Sequence, residues 1–266
     1  MRTRTRRGLS PKSVANIHRI IHLALGHAVE WGLLRTNPMD RVRPPRWERK
    51  QQSWLDLDQA QALIAQLEST SAGTALLVKL STGLRMGELL GLRWTDIDFE
   101  LQLISLQQQL QWISGSGYTI RAVKTHRSRR PVAIDADLVD ILRAHKIRQN
   151  EARLRAGELW STNGLVFANE LGGHLTPDQV RRTLLRALTA AGLPRIRPHD
   201  LRHTHASVLL RLRTPMKVVQ ERLGHSSYAV TADIYSHVAP DLQAQAAGAF
   251  GAALHSNHHP GSISPR

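Results

Sequence analysis

Strict alternation of apolar and polar residues is confined to one part of this chain, from about residue 101 to residue 134. On either side, apolar residues recur every three or four positions. The two periods exclude one another, because a strand turns successive side chains to opposite faces while a helix stacks them along one. Leu101, Leu103 and Ser105 share one face of a first strand, and Ile120 to Val123 and Pro131 to Ile134 read as two more. A basic turn from Thr125 to Arg130 joins the last two. A few short strands among many helices predict an α+β fold: a mostly helical body with a small three-stranded antiparallel sheet.

The helices carry their own end signals. Ser10-Pro11 reads as an N-cap followed by proline at the first helical position. Val14, Ile17, Ile21, Leu25 and Ala28 then make one apolar face, which Gly32 and Asn37-Pro38 close. RVRPPRWERKQQS follows, basic, proline-rich and without periodicity. It reads as a linker that is either solvated or in contact with nucleic acid, with Arg43 and Arg46 the candidate contacts. A new domain opens at Leu55, where Asp56 and Gln59 have the spacing of a capping box before an apolar helix to Leu67. Residues 74–91 read as helical with interruptions at Gly83 and Gly87, and more helices are expected over 137–156, 177–191, 200–212 and 215–223. Thr176, Pro177 and Gln179 signal the second of these. The tail, residues 251–266 with HSNHHPGSISPR, lacks apolar content and is expected to be disordered.

Charge narrows the partner. Lys and Arg number 36 against 21 Asp and Glu, a formal charge of +15. The excess is segregated: residues 1–50 hold twelve basic and three acidic side chains, residues 181–225 ten and two, but residues 51–120 three and seven. Segregation makes a basic face, and a basic face suits a polyanion, most simply nucleic acid. The chain has no cysteine, which excludes disulfide and thiolate chemistry. No apolar run approaches the roughly 20 residues that cross a bilayer. MRTRTRRGLSPKS has no apolar segment behind its arginines and so is no secretory signal. A cytoplasmic protein without a membrane partner is expected.

The residues suited to chemistry gather late in the chain. His199-Asp200-Leu201-Arg202 stands upstream of His225, and Tyr235 lies ten residues after His225. A tyrosine hydroxyl, with an ordinary pKa of about 10, is a poor nucleophile unless cations and donors surround an anionic electrophile beside it. A phosphodiester is such an electrophile: charge builds on its non-bridging oxygens, and its leaving oxygen needs a proton. Arginine meets the first need with a planar two-donor fork, which makes Arg85 and Arg202 candidates. Glu88, at i+3 from Arg85, either pairs with it on a helix surface or holds it for a site. His199 and His225 can donate to the same phosphate or move protons near neutral pH, and each also reads as a structural histidine. Lys124 can meet either a scissile or an ordinary backbone phosphate, and Arg127, Arg129 and Arg130 read as backbone-phosphate contacts. His199, His203 and His205 crowd together, but HDLRH lacks the glutamate of HExxH and Arg202 would set a charge beside the metal. No metal ligand is assigned.

Arg85, Lys124, His199-x-x-Arg202, His225 and Tyr235 stand in the order of the active site of the tyrosine recombinases, the phage integrase family. The chain resembles that family over residues 55 to about 248. The resemblance implies a partial helical core-DNA-binding domain over 1–46, a linker over 47–54 and a catalytic domain over 55–250. GLSPKSV and EWGLLRTNP look like the end of that core-binding domain, so an N-terminally shortened protein is expected. The family spacing from His225 selects Tyr235 over Tyr228 as nucleophile.

The resemblance also implies a mechanism. Tyr235 attacks the scissile phosphate to give a 3′-phosphotyrosine and a free 5′ hydroxyl. Arg85, Arg202, His199 and His225 stabilise the transition state, Lys124 protonates the leaving oxygen, and Glu88 supports the site. The covalent link keeps the bond energy, so neither ATP nor metal is needed and no cofactor is expected. Partners would be double-stranded recombination sites and, because sites are paired, a homotetramer on DNA, in a bacterial cell or a phage-infected host. A type IB topoisomerase and a non-catalytic DNA-binding remnant are the alternatives.

Overall fold

The computed structural model describes residues 8–46, 54–122, 129–224, 232 and 250. The chain divides into two compact units, Met1–Gln52 and Ser53–Arg266.

In the first unit the Ser10 hydroxyl accepts the Ser13 N–H at 3.1 Å and opens helix α1 (Pro11–Glu30), with Pro11 in its first turn. The helix ends at Trp31, and Gly32 turns the chain with φ 72°. Asn37 and Pro38 do not close α1. They begin a 3-10 turn over Pro38–Arg41, whose Met39 N–H is accepted by Asn37 Oδ1. That turn folds back on the helix: His22 Nε2 lies 2.9 Å from Asp40 Oδ1, and Asn37 Nδ2 donates to the His22 carbonyl at 2.9 Å.

The second unit begins with the expected capping box. Asp56 Oδ1 accepts the Gln59 N–H at 2.8 Å and Gln59 Oε1 accepts the Asp56 N–H at 3.1 Å, which opens α2 (Leu57–Ala65). The helical stretch expected over 74–91 is two helices, α3 (Ser71–Thr82) and α4 (Met86–Leu90). After the strands come α5 (Ala136–Ala156), α6 (Pro177–Ala190), α7 (Asp200–Arg211) and α8 (Met216–Leu223). Thr176 and Gln179 form the capping box of α6. Helix α3 is the core of this unit: eight of its twelve residues are buried, and it packs against α5, α6 and α7.

The strands pair differently from the sequence reading. β1 (Ile97–Asp98), β2 (Leu103–Ser105) and β5 (Pro131–Ala133) form the small antiparallel sheet, in the order β1-β2-β5 with Ile104 opposite Val132. β3 (Gln108–Ile113) and β4 (Gly117–Ala122) form a separate hairpin, so the strand near residue 120 pairs with β3 and not with β5. β3 is hidden in the sequence because its alternation runs through glutamines, Gln107-Gln108-Gln109-Leu110-Gln111. The turn after it is plainer: Gly115 and Gly117 take φ 83° and 73°, and Trp112 packs edge-on against Tyr118 across the hairpin at 5.0 Å.

Gly83 separates α3 from α4. It is a left-handed C-cap with φ 70°, and a Cβ there would overlap the side chains of Leu223 and His205. Torsion and space both demand glycine. Gly83→Ala should lower the unfolding free energy by on the order of 2–4 kcal/mol in a urea titration. An unchanged midpoint would show that α8 can move away from α3 without loss.

Candidate active site

Glu88 sits in α4 only 2% exposed, a costly place for a carboxylate unless it is paired. It is paired twice. Its Oε2 accepts the Arg85 N–H at 2.8 Å and its Oε1 the Arg85 Nη1 at 2.9 Å. From the other side Arg130 Nη1 and Nη2 reach Oε1 and Oε2 at 3.1 and 3.2 Å. Burial pushes the carboxyl pKa up, but the hydrogen bonds and charges of Arg130 and Arg85 outweigh it and hold the group at about 2.

Three arginines then end on three successive carbonyls at the C-terminus of α8. Arg130 Nε donates to Arg222 at 2.8 Å, Arg202 Nη2 to Leu223 at 2.6 Å and Arg85 Nη2 to Gly224 at 2.6 Å. Those oxygens have no acceptor role left inside the helix and carry the negative end of its dipole. Gly224 takes φ 65°, and a Cβ on it would come within 2.7 Å of Arg130 Nη1. Arg202, 2% exposed, also donates from Nη1 to the Gly83 carbonyl at 2.7 Å.

Helix α7 supplies Arg202 and is preceded by His199. Asp200, its first residue, accepts the Arg197 N–H at 2.7 Å and the Arg197 guanidinium at 2.8 and 3.1 Å. This clamp fixes the approach through Pro198 to His199. The exposed ring of His199 meets His203 edge-on at 5.0 Å. Partial burial, then the neighbouring His203, Lys79 and Arg202, push the His199 pKa down to about 4, so it is neutral at pH 7. His203 is buried, and its Nδ1 has no hydrogen-bond partner among the described residues.

His205 has a different place. Its Nδ1 lies 2.9 Å from the Leu80 carbonyl and its Nε2 accepts from Arg222 Nε at 3.1 Å, which fixes the neutral tautomer. Burial first, then the Arg222 charge, push its pKa down to about 3. Arg222 continues to the Ala133 carbonyl at 3.0 Å and the Ser81 carbonyl at 3.2 Å, tying α8 to β5 and α3.

Of the residues singled out in the sequence, the structure gathers Arg85, Glu88, Arg202 and His199. Arg130, read as a backbone-phosphate contact, is instead 8% exposed, with its guanidinium on Glu88 and the Arg222 carbonyl. Arg129 is exposed and lines a cleft of about 660 Å³ with Arg93, Arg121 and Arg130, beside the β3–β4 hairpin. Among the described residues no carboxylate lines that cleft. Arg43 and Arg46 are exposed in the first unit. Lys124, Arg127, His225, Tyr228, Tyr235 and the tail lie outside the described residues, as do residues 47–53; His225 is the next residue after Gly224. Among the described residues no three potential metal ligands converge, and no helix is long and apolar enough to cross a membrane.

Sequence reasoning missed Lys79, which is fully buried and donates from Nζ to the Leu84 carbonyl at 2.5 Å. The signal was available: in LLVKLST a lysine stands where helical spacing from Leu76 points inward.

The chain belongs to the phage integrase family, whose model matches residues 53–241. A tyrosine recombinase XerC-like protein of Caldanaerobacter subterraneus is 33% identical over 256 residues, covering 90% of this chain and 66% of that protein. The ICEBs1 integrase of Bacillus subtilis is 32% identical, covering 90% of this chain and 65% of that protein. The chain thus spans just under two thirds of the length of these relatives. In fold it is similar to the Tn1549 transposon integrase solved in complex with a circular intermediate DNA, with a TM-score of 0.73 at 22% identity over 90% of this chain and 80% of that one. It is also similar to XerA recombinase, with a TM-score of 0.57 at 20% identity over 95% and 84% of the two chains.

Replacing Glu88 by Gln should cost about 3–5 kcal/mol at pH 7 in denaturant unfolding, because Arg130 stays buried without its counter-charge. The folded pKa lies below the ordinary carboxylate value of about 4.5, so the stabilisation is whole above that pH and is lost as pH falls toward about 2. The gap between wild type and variant should narrow over that window. Equal stability of the two at pH 7 would mean that Arg130 does not depend on Glu88.

Proposed function

We propose that this chain is a site-specific DNA recombinase that breaks and rejoins duplex DNA through a 3′-phosphotyrosine. The observation that carries this reading is the convergence of Arg85 and Arg202 on the end of α8, with Glu88 bracing Arg85 from within the core. Such an arrangement is preorganised for the charge that builds on a phosphorane-like transition state. The names of the relatives, tyrosine recombinase and integrase, support the same class.

In this reading Arg85 meets the phosphate first. Its side chain is 39% exposed, and the Gly224 carbonyl is a partner that a non-bridging phosphate oxygen can replace. Arg202 reinforces the pocket from the interior. His199, neutral at pH 7, donates one hydrogen bond and gains affinity for a proton when the anion arrives. Tyr235 attacks phosphorus and becomes covalently linked to it, while the 5′ oxygen leaves with a proton from Lys124. His225 adds a further donor to the phosphate. The phosphotyrosine retains the bond energy, so an incoming 5′ hydroxyl reverses the step without ATP, metal or cofactor.

The rest of the chain serves this chemistry. Residues 1–46 are the core-DNA-binding domain, with Arg43 and Arg46 on the backbone, and 47–54 are the linker to the catalytic domain over 55–250. Arg127 and Arg129 contact backbone phosphates, Arg129 beside the hairpin. Pairing of two sites calls for a homotetramer on DNA, acting in the cytoplasm, where the DNA is.

Tyr235→Phe should abolish the covalent adduct on a nicked suicide duplex made from the DNA bordering the gene, with duplex affinity changed by less than about twofold, since the hydroxyl is nucleophile and not anchor. A protease-sensitive adduct formed by the Phe variant would move the nucleophile elsewhere, with Tyr228 next to test. Wild-type adduct formation should persist in excess EDTA, because side-chain cations take the place of metal ions. Loss in EDTA with recovery on adding zinc or magnesium would overturn the metal-free mechanism.

A further inference from the structure

Helix α3 ends at Thr82, and three residues later the chain places Arg85 at the N-cap of α4. The turn sets where the Arg85 side chain leaves the backbone, before Glu88 and the Gly224 carbonyl fix its end. The Gly83 and Leu84 carbonyls in it take their donors from outside the turn. Two buried cations supply them. Arg202 of α7 donates to the Gly83 carbonyl, and Lys79 of α3 donates to the Leu84 carbonyl at 2.5 Å. Leu84 is itself fully buried, so no solvent is at hand to replace a lost donor.

The identity of residue 79 is informative. It is 0% exposed in a helix whose buried face is otherwise small or apolar, where Met or Leu would fill the space without desolvating a charge. A lysine is retained there at a cost, and the group it serves is the residue immediately before Arg85.

We propose that Lys79 is a positioning residue: its buried amine holds the Gly83–Arg85 turn by the Leu84 carbonyl and so fixes where the Arg85 guanidinium meets phosphate. This rests on the reading of Arg85 as the phosphate-binding arginine. Burial first, then the charge of Arg202, push the lysine pKa down to about 7, against the support of Glu88. Both the ammonium and the neutral amine donate to a carbonyl. The contribution is therefore a donor at a fixed place and not a charge, which separates it from the arginines around it.

The test uses the full chain and the same nicked suicide duplex, with Lys79→Met and Lys79→Gln. Met keeps the stem as far as the Cε position and removes the donor; Gln, of the same reach as Met, keeps an N–H donor and removes the charge. Lys79→Met should form the covalent adduct about tenfold or more slowly, as misplaced catalytic groups do, with duplex affinity within about twofold because the phosphate-contacting side chains all remain. Lys79→Gln should recover the rate to within about threefold by restoring the carbonyl's partner. A structural role alone would shift the melting temperature without separating rate from affinity and without recovery by Gln. Lys79→Met cleaving at the wild-type rate overturns the proposal. So does a Gln variant that melts like wild type yet cleaves as slowly as Met. Should Lys79→Met fail to fold, the Gln variant decides alone: a rate within about threefold of wild type supports the proposal, and a Gln variant that melts like wild type yet cleaves about tenfold or more slowly overturns it. A wild-type chain that forms no adduct overturns the recombinase reading itself, and this inference with it.

Discussion

The buried Glu88 carboxylate, shared between Arg85 and Arg130, is the interaction on which the rest of the site depends. Four guanidinium groups, those of Arg85, Arg130, Arg202 and Arg222, crowd the junction of α3, α4, β5, α7 and α8. Among the described residues only Glu88 pairs with these guanidiniums, with Asp135 acting on Arg222 from farther off, and these do not neutralise the set. The difference is met by carbonyl oxygens at two helix C-termini, Gly83 after α3 and Arg222 to Gly224 at α8. Each accepts without adding full charge, so the junction is held together yet stays electropositive. Both left-handed glycines belong to this device, since the turns they make are what present those carbonyls.

That residual positive potential shapes the other titratable groups. Lys79 and His199 are pushed down by burial and further by the nearby cations, to about 7 and about 4. Under the proposed function, a phosphate entering the junction would relieve the repulsion that depresses them. The same repulsion that makes the free protein costly to assemble would then be available to bind and stabilise an anion, an exchange of stability for function.

The sequence makes the local features legible and hides the distant ones. Ser10, Asp56 with Gln59 and Thr176 with Gln179 announce their helices because a cap is satisfied within three residues. Glu88 is legible as a partner of Arg85 for the same reason. The Arg130 pairing with Glu88 spans 42 positions, its bond to Arg222 spans 92, and the bond from Arg222 to Ser81 spans 141. No local rule reaches that far, so Arg130 looks like one more basic residue in a basic turn. The β3–β4 hairpin is missed because glutamines blur the alternation, although the SGSG turn marks it. Gly83 and Gly87 are visible as interruptions, but only the fold shows that one shapes a turn and the other lets α4 approach the Leu110 carbonyl of β3.

The most direct measurement of the central claim is a structure of the Tyr235→Phe chain with an uncleaved duplex. If Arg85 is the arginine that binds the scissile phosphate, its Nη2 exchanges the Gly224 carbonyl for a non-bridging oxygen at about 2.7–2.9 Å. Glu88 should keep both of its arginines in that state. A phosphate seated instead in the cleft of Arg93 and Arg121, with Arg85 still on Gly224, would contradict the account.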